Sequence, residues 1–364
     1  MGNQFATSKN NARRRFEIDV VKFLAIVFMV CVHVYEDMSV IDWSVPHTDV
    51  FGNVIEFLGG PLTAPVFMFT MGIGMVLTHH DTPKEFAKRG LHLFAAGYVL
   101  NFIRGPLPLL TAKILGIDPE VDYTILSSLM ITDILQFAGL TFLLAAALKK
   151  LKLKSVYIFI IAIVMQAAGC AVEVWSETLP PSFISYVAGL FIFAGGVTCF
   201  PFLTWFVFPA AGMVFGELLQ KNERAYKQAF AAGVGVLAAT LSYVFLSAYD
   251  IRNFYALANE AFYKQDLLGF LFTISIVIIE LSLAYFVFRG SSSLISFCSI
   301  NLTRIYFIQW VVITVLTAAL VIFEPGDITK GLVIPYAFVI FSLSVGICRV
   351  SLLSKIFKSN ARKY

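Results

Sequence analysis

The sequence predicts an all-α polytopic membrane protein with about ten transmembrane helices and both termini in the cytoplasm. Of its 364 residues, 59% are hydrophobic and only 14% are charged, and the mean hydropathy is +0.82. A soluble domain carries about 25% charged residues, so long apolar stretches set this chain apart from soluble proteins. The distribution of basic residues is the third observation, because they collect in alternate loops.

Apolar runs of about 20 residues, the length that crosses a bilayer, define the spans. The predicted spans are 19–38, 54–78, 90–110, 125–148, 155–173, 200–220, 227–248, 267–288, 300–322 and 331–352. With the N-terminus inside, the cytoplasmic segments hold 20 of the 27 Lys and Arg residues, which favours this orientation.

The apolar stretch 183–199 is the exception to this pattern. If it crossed the membrane, every later basic loop would face outward. Its adjacent Gly195 and Gly196 suit irregular backbone that lines a cavity. We therefore predict that this stretch is a re-entrant or interfacial element.

The predicted organisation is a cytoplasmic segment 1–18, a single membrane domain 19–352 and a basic cytoplasmic tail 353–364. The five cysteines lie in apolar segments at no ligand-like spacing, so we expect neither a disulfide framework nor a metal site. The net charge of +4 resides in short loops, which argues for contact with membrane lipid and against nucleic acid. A multi-pass location in a bacterial cytoplasmic membrane is expected, and a homodimer stays open.

The first span carries ionisable residues on one helical face. Lys22 and His33 are eleven residues apart, which places them within about 20° of one stripe, and Asp19 and Asp37 fall near it. Ionisable groups at membrane depth cost about 2.5–3.5 kcal/mol each and usually mark function. We predict that His33 is a general base whose imidazole Glu36 or Asp37 orients, and the alternative is a histidine hydrogen-bonded between helices.

Basic residues near the inner ends of spans predict a site for an anionic ligand. Lys22 suits the phosphates of a coenzyme that arrives from the cytoplasm, or it extends to the interface with Asp19 as a partner. Arg304, at the inner end of the ninth span, has the same two interpretations.

The fourth span contains a carboxylate that needs a partner at membrane depth. Asp133 lies about eight residues into this span, with Gln136 on its face. Arg104, near the outer end of the third span, is the candidate counter-ion. The pair predicts either a structural ion pair or a substrate contact.

The first external loop contains the main competitor of His33. His47 lies there with Asp42 and Asp49. Besides a catalytic role for His47, these residues are compatible with a solvated polar loop or with a metal site, although their spacing matches no specific ligand pattern. Elsewhere, Gly72 and Gly74 predict close helix packing rather than phosphate binding.

Several motifs follow one another in the order found in a known superfamily. They are Ile18-Asp19 with Lys22 and His33, Ala64-Pro65-Val66-Phe67-Met68-Phe69 with Gly72, Lys88-Arg89 with Gly97, Asp133-Ile-Leu-Gln136, Phe200-Pro201 with Trp205, Gly212 and Gly216, and Asn301-Leu-Thr-Arg304-Ile-Tyr306. The chain thereby resembles the transmembrane acyltransferase superfamily, which includes acyltransferase-3 proteins and heparan-alpha-glucosaminide N-acetyltransferase-like bacterial proteins.

The chain departs from these patterns at three positions. The family has arginine where this chain has Lys22, and its Phe-Pro-x-x-Pro-Trp pattern has a second proline that this chain lacks. His33 matches the histidine of the acyltransferase-3 branch, whereas the glucosaminide branch has asparagine there. The acyltransferase-3 branch has Arg-x-x-Arg where this chain has Arg89-x-x-His92.

The resemblance implies transfer of an acyl group, with acetyl expected, from cytoplasmic acyl-CoA to an extracytoplasmic sugar or glycan hydroxyl or amine. The glucosaminide branch also implies a functional histidine in the first external loop, where His47 is the candidate. The rival functions are a secondary transporter or exporter of a small polar or acylated molecule, and a non-catalytic member of the fold. His33 is expected to act as the general base or transiently as the acyl carrier. The predicted roles are catalytic for His33, His47, Glu36 and Asp37, donor-binding for Lys22, Asp19, Arg89 and Arg304, and acceptor-binding for Arg104, Asp133 and Gln136.

Overall fold

A computed structural model describes residues 15–39, 49–78, 82–117, 123–176, 178–222, 224–257, 259–323 and 326–361. His47, one of the predicted catalytic residues, lies outside the described residues.

The described residues form seventeen α-helices and no named β-strand. The helices are α1 Phe16–Met38, α2 Val50–Gly59, α3 Ala64–Leu77, α4 Pro83–Arg104, α5 Pro106–Leu115, α6 Ile125–Leu129, α7 Ile134–Lys150, α8 Ser155–Ser176, α9 Phe183–Ala188, α10 Phe202–Trp205, α11 Val207–Lys221, α12 Ala225–Ser247, α13 Glu260–Lys264, α14 Leu267–Val287, α15 Ser293–Ile300, α16 Leu302–Ile322 and α17 Val333–Ala361.

Nine helical stretches in the described part of the chain are long and apolar enough to cross a membrane. Three of them join consecutive helices: α2 with α3, α4 with α5, and α10 with α11. The predicted class, an all-α polytopic membrane protein, is confirmed. The cytoplasmic location of the termini stays a prediction.

The prediction of one continuous helix over 125–148 is wrong, because the chain breaks between α6 and α7. Asp133 is the N-cap of α7, and its backbone N–H donates to the Gln136 side chain at 3.3 Å in a capping box. An N-cap residue has extended backbone and satisfies the unpaired N–H groups of the helix that follows it. The break therefore places the Asp133 carboxylate at a helix start instead of inside a helix.

The bundle has two ends, which we name the Arg15 side and the Met38 side after the two ends of α1. At the Arg15 side, the Arg15 guanidinium donates to the Leu219 carbonyl at the end of α11, at 2.8 Å. At the Met38 side, the Ile328 N–H donates to the Met38 carbonyl at 2.9 Å. Because Ile328 follows α16, α1 and α16 run parallel.

The segment between α8 and α11 begins and ends on the same side of the bundle. The Ser155 N–H, at the start of α8, donates to the Glu217 carboxylate near the end of α11 at 3.2 Å. Farther along α8, Gly169 packs against Thr204 of α10, so α8 and α11 are antiparallel. The segment itself contains the six-residue α9, and its two adjacent glycines have φ of 75° and 70°. It does not cross the bundle, in agreement with the prediction for 183–199.

Candidate active site

A cavity of about 640 Å³ lies at the Met38 side. Five of the ionisable residues predicted from the sequence line it: His33, Glu36, Asp37, Arg104 and Asp133. They come from the second half of α1, the end of α4 and the start of α7. The helix break before α7 and the parallel course of α1 and α16 bring these distant segments together.

His33 is held by a face of α16. Its Nδ1 lies 2.6 Å from the Gln309 side-chain nitrogen, and its ring packs on Trp310 with centroids 4.2 Å apart. Tyr306 meets the same ring edge-on at 6.4 Å. The Gln309 side-chain oxygen is buried and has no hydrogen-bond partner among the described residues. The imidazole thus has one nitrogen paired with an amide and one flat face covered.

The partner at Nδ1 is an amide from α16 and not one of the carboxylates that we predicted to orient the ring. Glu36 is half-buried and Asp37 is exposed, and both line the cavity. Their carboxyl groups are therefore placed to meet a molecule in the cavity, while Gln309 positions His33.

Arg104 and Asp133 form an ion pair in the wall of the cavity, as predicted. The Arg104 Nη2 lies 2.7 Å from the Asp133 Oδ2, and their side chains are 10% and 13% exposed. The same Oδ2 accepts a hydrogen bond from the Tyr306 hydroxyl at 2.8 Å. The Ile134 N–H donates to Oδ1 at 2.6 Å, and the Arg104 guanidinium lies 4.6 Å from the centre of the Trp310 ring. This pair joins α4, α7 and α16.

Gln136 is not among the residues that line the cavity in the described part of the chain, and its role as an acceptor-binding residue stays a prediction. Its side chain is fully buried, and a Cβ added at Gly97 would lie 2.6 Å from it. The side-chain oxygen accepts from the Asp133 N–H, and the side-chain nitrogen donates to the Ile131 carbonyl at 3.3 Å. The residue closes the capping box and supports the helix start.

The four predicted donor-binding residues lie towards the Arg15 side, and the cavity lining of the described chain includes none of them. Asp19 is buried and accepts a hydrogen bond from the Ser296 hydroxyl at 3.3 Å. Lys22 is half-buried, and the Arg89 guanidinium lies 4.5 Å from the centre of a phenylalanine ring on α7. Arg304 is exposed at the start of α16. Along α1, Lys22 and His33 are about 17 Å apart.

Sequence reasoning missed Gln309 and Trp310 as site residues. A signal was present, because Tyr306, Gln309 and Trp310 have the i, i+3 and i+4 spacing that places side chains on one helical face. An uncharged amide in an apolar span gives a weak signal, and its partner His33 lies 276 residues away in sequence.

The residues that the structure describes contain no group of three or more His, Cys, Asp or Glu side chains that could hold a metal ion. The site is instead an imidazole, an ion pair and carboxyl groups around a largely apolar cavity. Fold and site together define a polytopic membrane protein with a polar centre between its helices.

The chain belongs to the family described as heparan-alpha-glucosaminide N-acetyltransferase, catalytic, which matches residues 14–253. The family implies an acetyltransferase. The matched segment contains the five ionisable residues of the cavity that were predicted from the sequence, and it ends before α16, which supplies Gln309. A search of curated proteins finds no match. The resemblance to the acyltransferase-3 branch stays a prediction.

Proposed function

We propose that this protein transfers an acetyl group from acetyl-CoA, or a related acyl-CoA, to a hydroxyl or amine of an extracytoplasmic sugar or glycan. The observation that carries the proposal is the cavity in which His33 stands beside Glu36 and Asp37 in a chain of an acetyltransferase family. An uncharged imidazole can take a proton from the hydroxyl or amine that attacks the acetyl group.

Gln309 gives His33 the tautomer that this chemistry needs. The two ends of a glutamine amide have nearly the same shape, so either can face the ring. When the amide oxygen accepts from Nδ1–H, the lone pair of a neutral imidazole resides on Nε2. In this arrangement the Gln309 oxygen also gains the partner that it otherwise lacks.

The reaction is then a direct transfer. The acceptor nitrogen or oxygen attacks the thioester carbonyl and loses its proton to Nε2 of His33. The carbon–sulfur bond breaks, and the imidazolium returns the proton to the coenzyme sulfur. The products are the acetylated acceptor and CoA. Glu36 and Asp37 accept hydrogen bonds from the acceptor, and the Arg104–Asp133 pair keeps the wall in place.

The donor approaches from the Arg15 side in this proposal. Lys22, Arg89 and Arg304 supply positive charge for its phosphates from the first turns of three helices. Asp19 contributes through its bond to Ser296, which fixes α1 against α15. The predicted cytoplasmic location of that side matches the source of acyl-CoA.

His47 competes with His33 for the role of base. The glucosaminide branch implies a functional histidine in the first external loop, and His47 is the histidine of that loop. The choice between them is part of the test.

The test measures acetyl-CoA binding and turnover by the purified protein in detergent, for wild type, His33→Ala, His47→Ala and the control His79→Ala from a predicted cytoplasmic loop. We expect His33→Ala to lower turnover by about 10²-fold or more with binding unchanged. Loss of turnover in His47→Ala alone would assign the base to His47. Failure of wild type to bind or turn over any acyl-CoA would contradict the proposal, and transport of an unmodified substrate would then favour the transporter.

A further inference from the structure

Part of the cavity wall is apolar. α5 and the second half of α16 form this wall. Its apolar lining residues include Leu107, Leu115, Val315, Ala318, Val321 and Ile322. Proteins bind free sugars through hydrogen bonds and aromatic faces. An aliphatic surface of this kind offers a hydrated sugar neither type of contact.

The same residues that line the cavity also reach the outside of the protein. Leu107 is 45% exposed, Val315 is 61% exposed and Val321 is 48% exposed. Within the described ranges, α5 and α16 do not pack closely against each other. Both helices belong to stretches that are apolar enough to cross a membrane, so an opening between them would face lipid.

The cavity lining also includes carboxyl groups. Glu36 and Asp37 face the cavity, and Arg104 is already paired with Asp133 at 2.7 Å. Carboxyl oxygens accept hydrogen bonds from hydroxyl or ammonium groups, and they disfavour phosphate at this position. The cavity therefore offers carboxyl groups to an amine or hydroxyl and a partly exposed apolar surface to a hydrocarbon chain.

We propose that the acceptor is an amphiphile, a sugar head with a hydrocarbon tail that enters from the membrane between α5 and α16. This inference rests on the proposed function and names the substrate class of the same site. The head places its reacting amine or hydroxyl beside His33, and the tail lies along Val315 and Val321. The membrane then concentrates the acceptor at the opening, since each methylene of the tail favours the membrane over water.

The first experiment compares two acceptors with the same head, methyl glucosaminide and dodecyl glucosaminide, with purified protein and [14C]acetyl-CoA in detergent. We expect kcat/KM to be at least about tenfold higher for the dodecyl glycoside. In parallel, membranes that contain the protein are given [14C]acetyl-CoA and extracted with organic solvent. We expect the label in the lipid extract and its loss in His33→Ala.

Wall variants separate access through the membrane from simple partition of the tail into detergent. Val315→Trp fills the opening, so the dodecyl-to-methyl ratio of kcat/KM should fall towards one. The matched control is Val234→Trp on α12, because Val234 is 45% exposed and does not line the cavity. The control should keep the wild-type ratio, and acetyl-CoA binding should be unchanged in both variants.

The outcomes distinguish this inference from the proposed function. Equal kcat/KM for the two glycosides, label only in water-soluble glycan, or equal ratios in the two tryptophan variants would each overturn the amphiphilic acceptor and leave acetyl transfer in place. Absence of acetyl-CoA binding and turnover by wild type would instead overturn the proposed function, and the inference with it.

Discussion

In the proposed mechanism Gln309 determines which nitrogen of His33 acts as the base, so its replacement tests the site at the scale of one hydrogen bond. Gln309→Leu keeps the approximate volume and removes the partner 2.6 Å from Nδ1. The imidazole then loses its fixed tautomer, and we expect kcat to fall by about tenfold to a hundredfold. Steady-state kinetics and acetyl-CoA binding check this together, because a positioning role lowers kcat and leaves donor binding intact.

The matched control for Gln309 is on the same helix. Thr317 also lines the cavity, and its buried hydroxyl has no partner among the described residues. Thr317→Val should therefore leave kcat near the wild-type value. Equal losses of kcat in Gln309→Leu and Thr317→Val would show that this part of α16 is sensitive to any substitution. This result would contradict a specific role for Gln309.

The Arg104–Asp133 pair is expected to act as a structural unit. Removing one partner leaves a buried charge, which costs about 3–5 kcal/mol, while removing both leaves none. We expect Arg104→Leu to lower the thermal stability in detergent more than the double variant Arg104→Leu/Asp133→Asn does. A double-mutant cycle measures the coupling, and additive losses would contradict it.

An exposed pair serves as the control for this cycle. Lys330 donates to Asp49 at 2.9 Å, but the two side chains are 43% and 40% exposed, so we expect a contribution of about 0–1 kcal/mol. The hydrogen bond from Lys330 is the largest cause that lowers the pKa of Asp49. A lowered carboxyl pKa stabilises the fold above the unfolded pKa, and this small contribution is lost as the pH falls through the lowered value.

At the scale of helices, the sequence predicted most spans but not the break at Asp133. Hydropathy locates apolar segments well because each must cover the bilayer. Hydropathy does not show the helix break, because a capping box causes it: Asp133 and Gln136 form a D-x-x-Q pattern inside an apolar run. The pairing of His33 with Gln309 could not be predicted, because nothing local in either segment identifies a partner in the other.

The close crossing of α3 and α11 requires glycine at position 72 but not at position 74. A Cβ at Gly72 would collide with the Pro209 backbone, whereas a Cβ at Gly74 would meet nothing within 4 Å. We expect Gly72→Ala to cost about 1–3 kcal/mol, because backbone cannot move aside as a side chain can. Gly74→Ala should be neutral. Thermal unfolding in detergent compares them, and similar losses would contradict close packing at Gly72.

At the scale of the whole molecule, the predicted donor residues and the cavity occupy opposite ends of α1. Both ends of the described chain lie at the Arg15 side, because α17 starts near Lys330 on the Met38 side and its Arg349 lies 5.1 Å from the centre of the Phe297 ring of α15. The positive-inside rule predicts that the Arg15 side is cytoplasmic. The proposed acetyl transfer across the membrane requires this orientation.

Single cysteines can test the orientation and the course of 183–199 in one experiment. In a variant without the five native cysteines, we expect a membrane-impermeant thiol reagent to label Thr178→Cys and Asp250→Cys in intact cells. Lys152→Cys and Arg224→Cys should react only after permeabilisation, because the loops after α7 and α11 lie at the Arg15 side. If only one of the variants Lys152→Cys and Arg224→Cys reacted in intact cells and the other only after permeabilisation, 183–199 would cross the membrane. A fully inverted pattern would keep the fold and place the cavity in the cytoplasmic leaflet, where transfer from acyl-CoA would need no passage across the membrane.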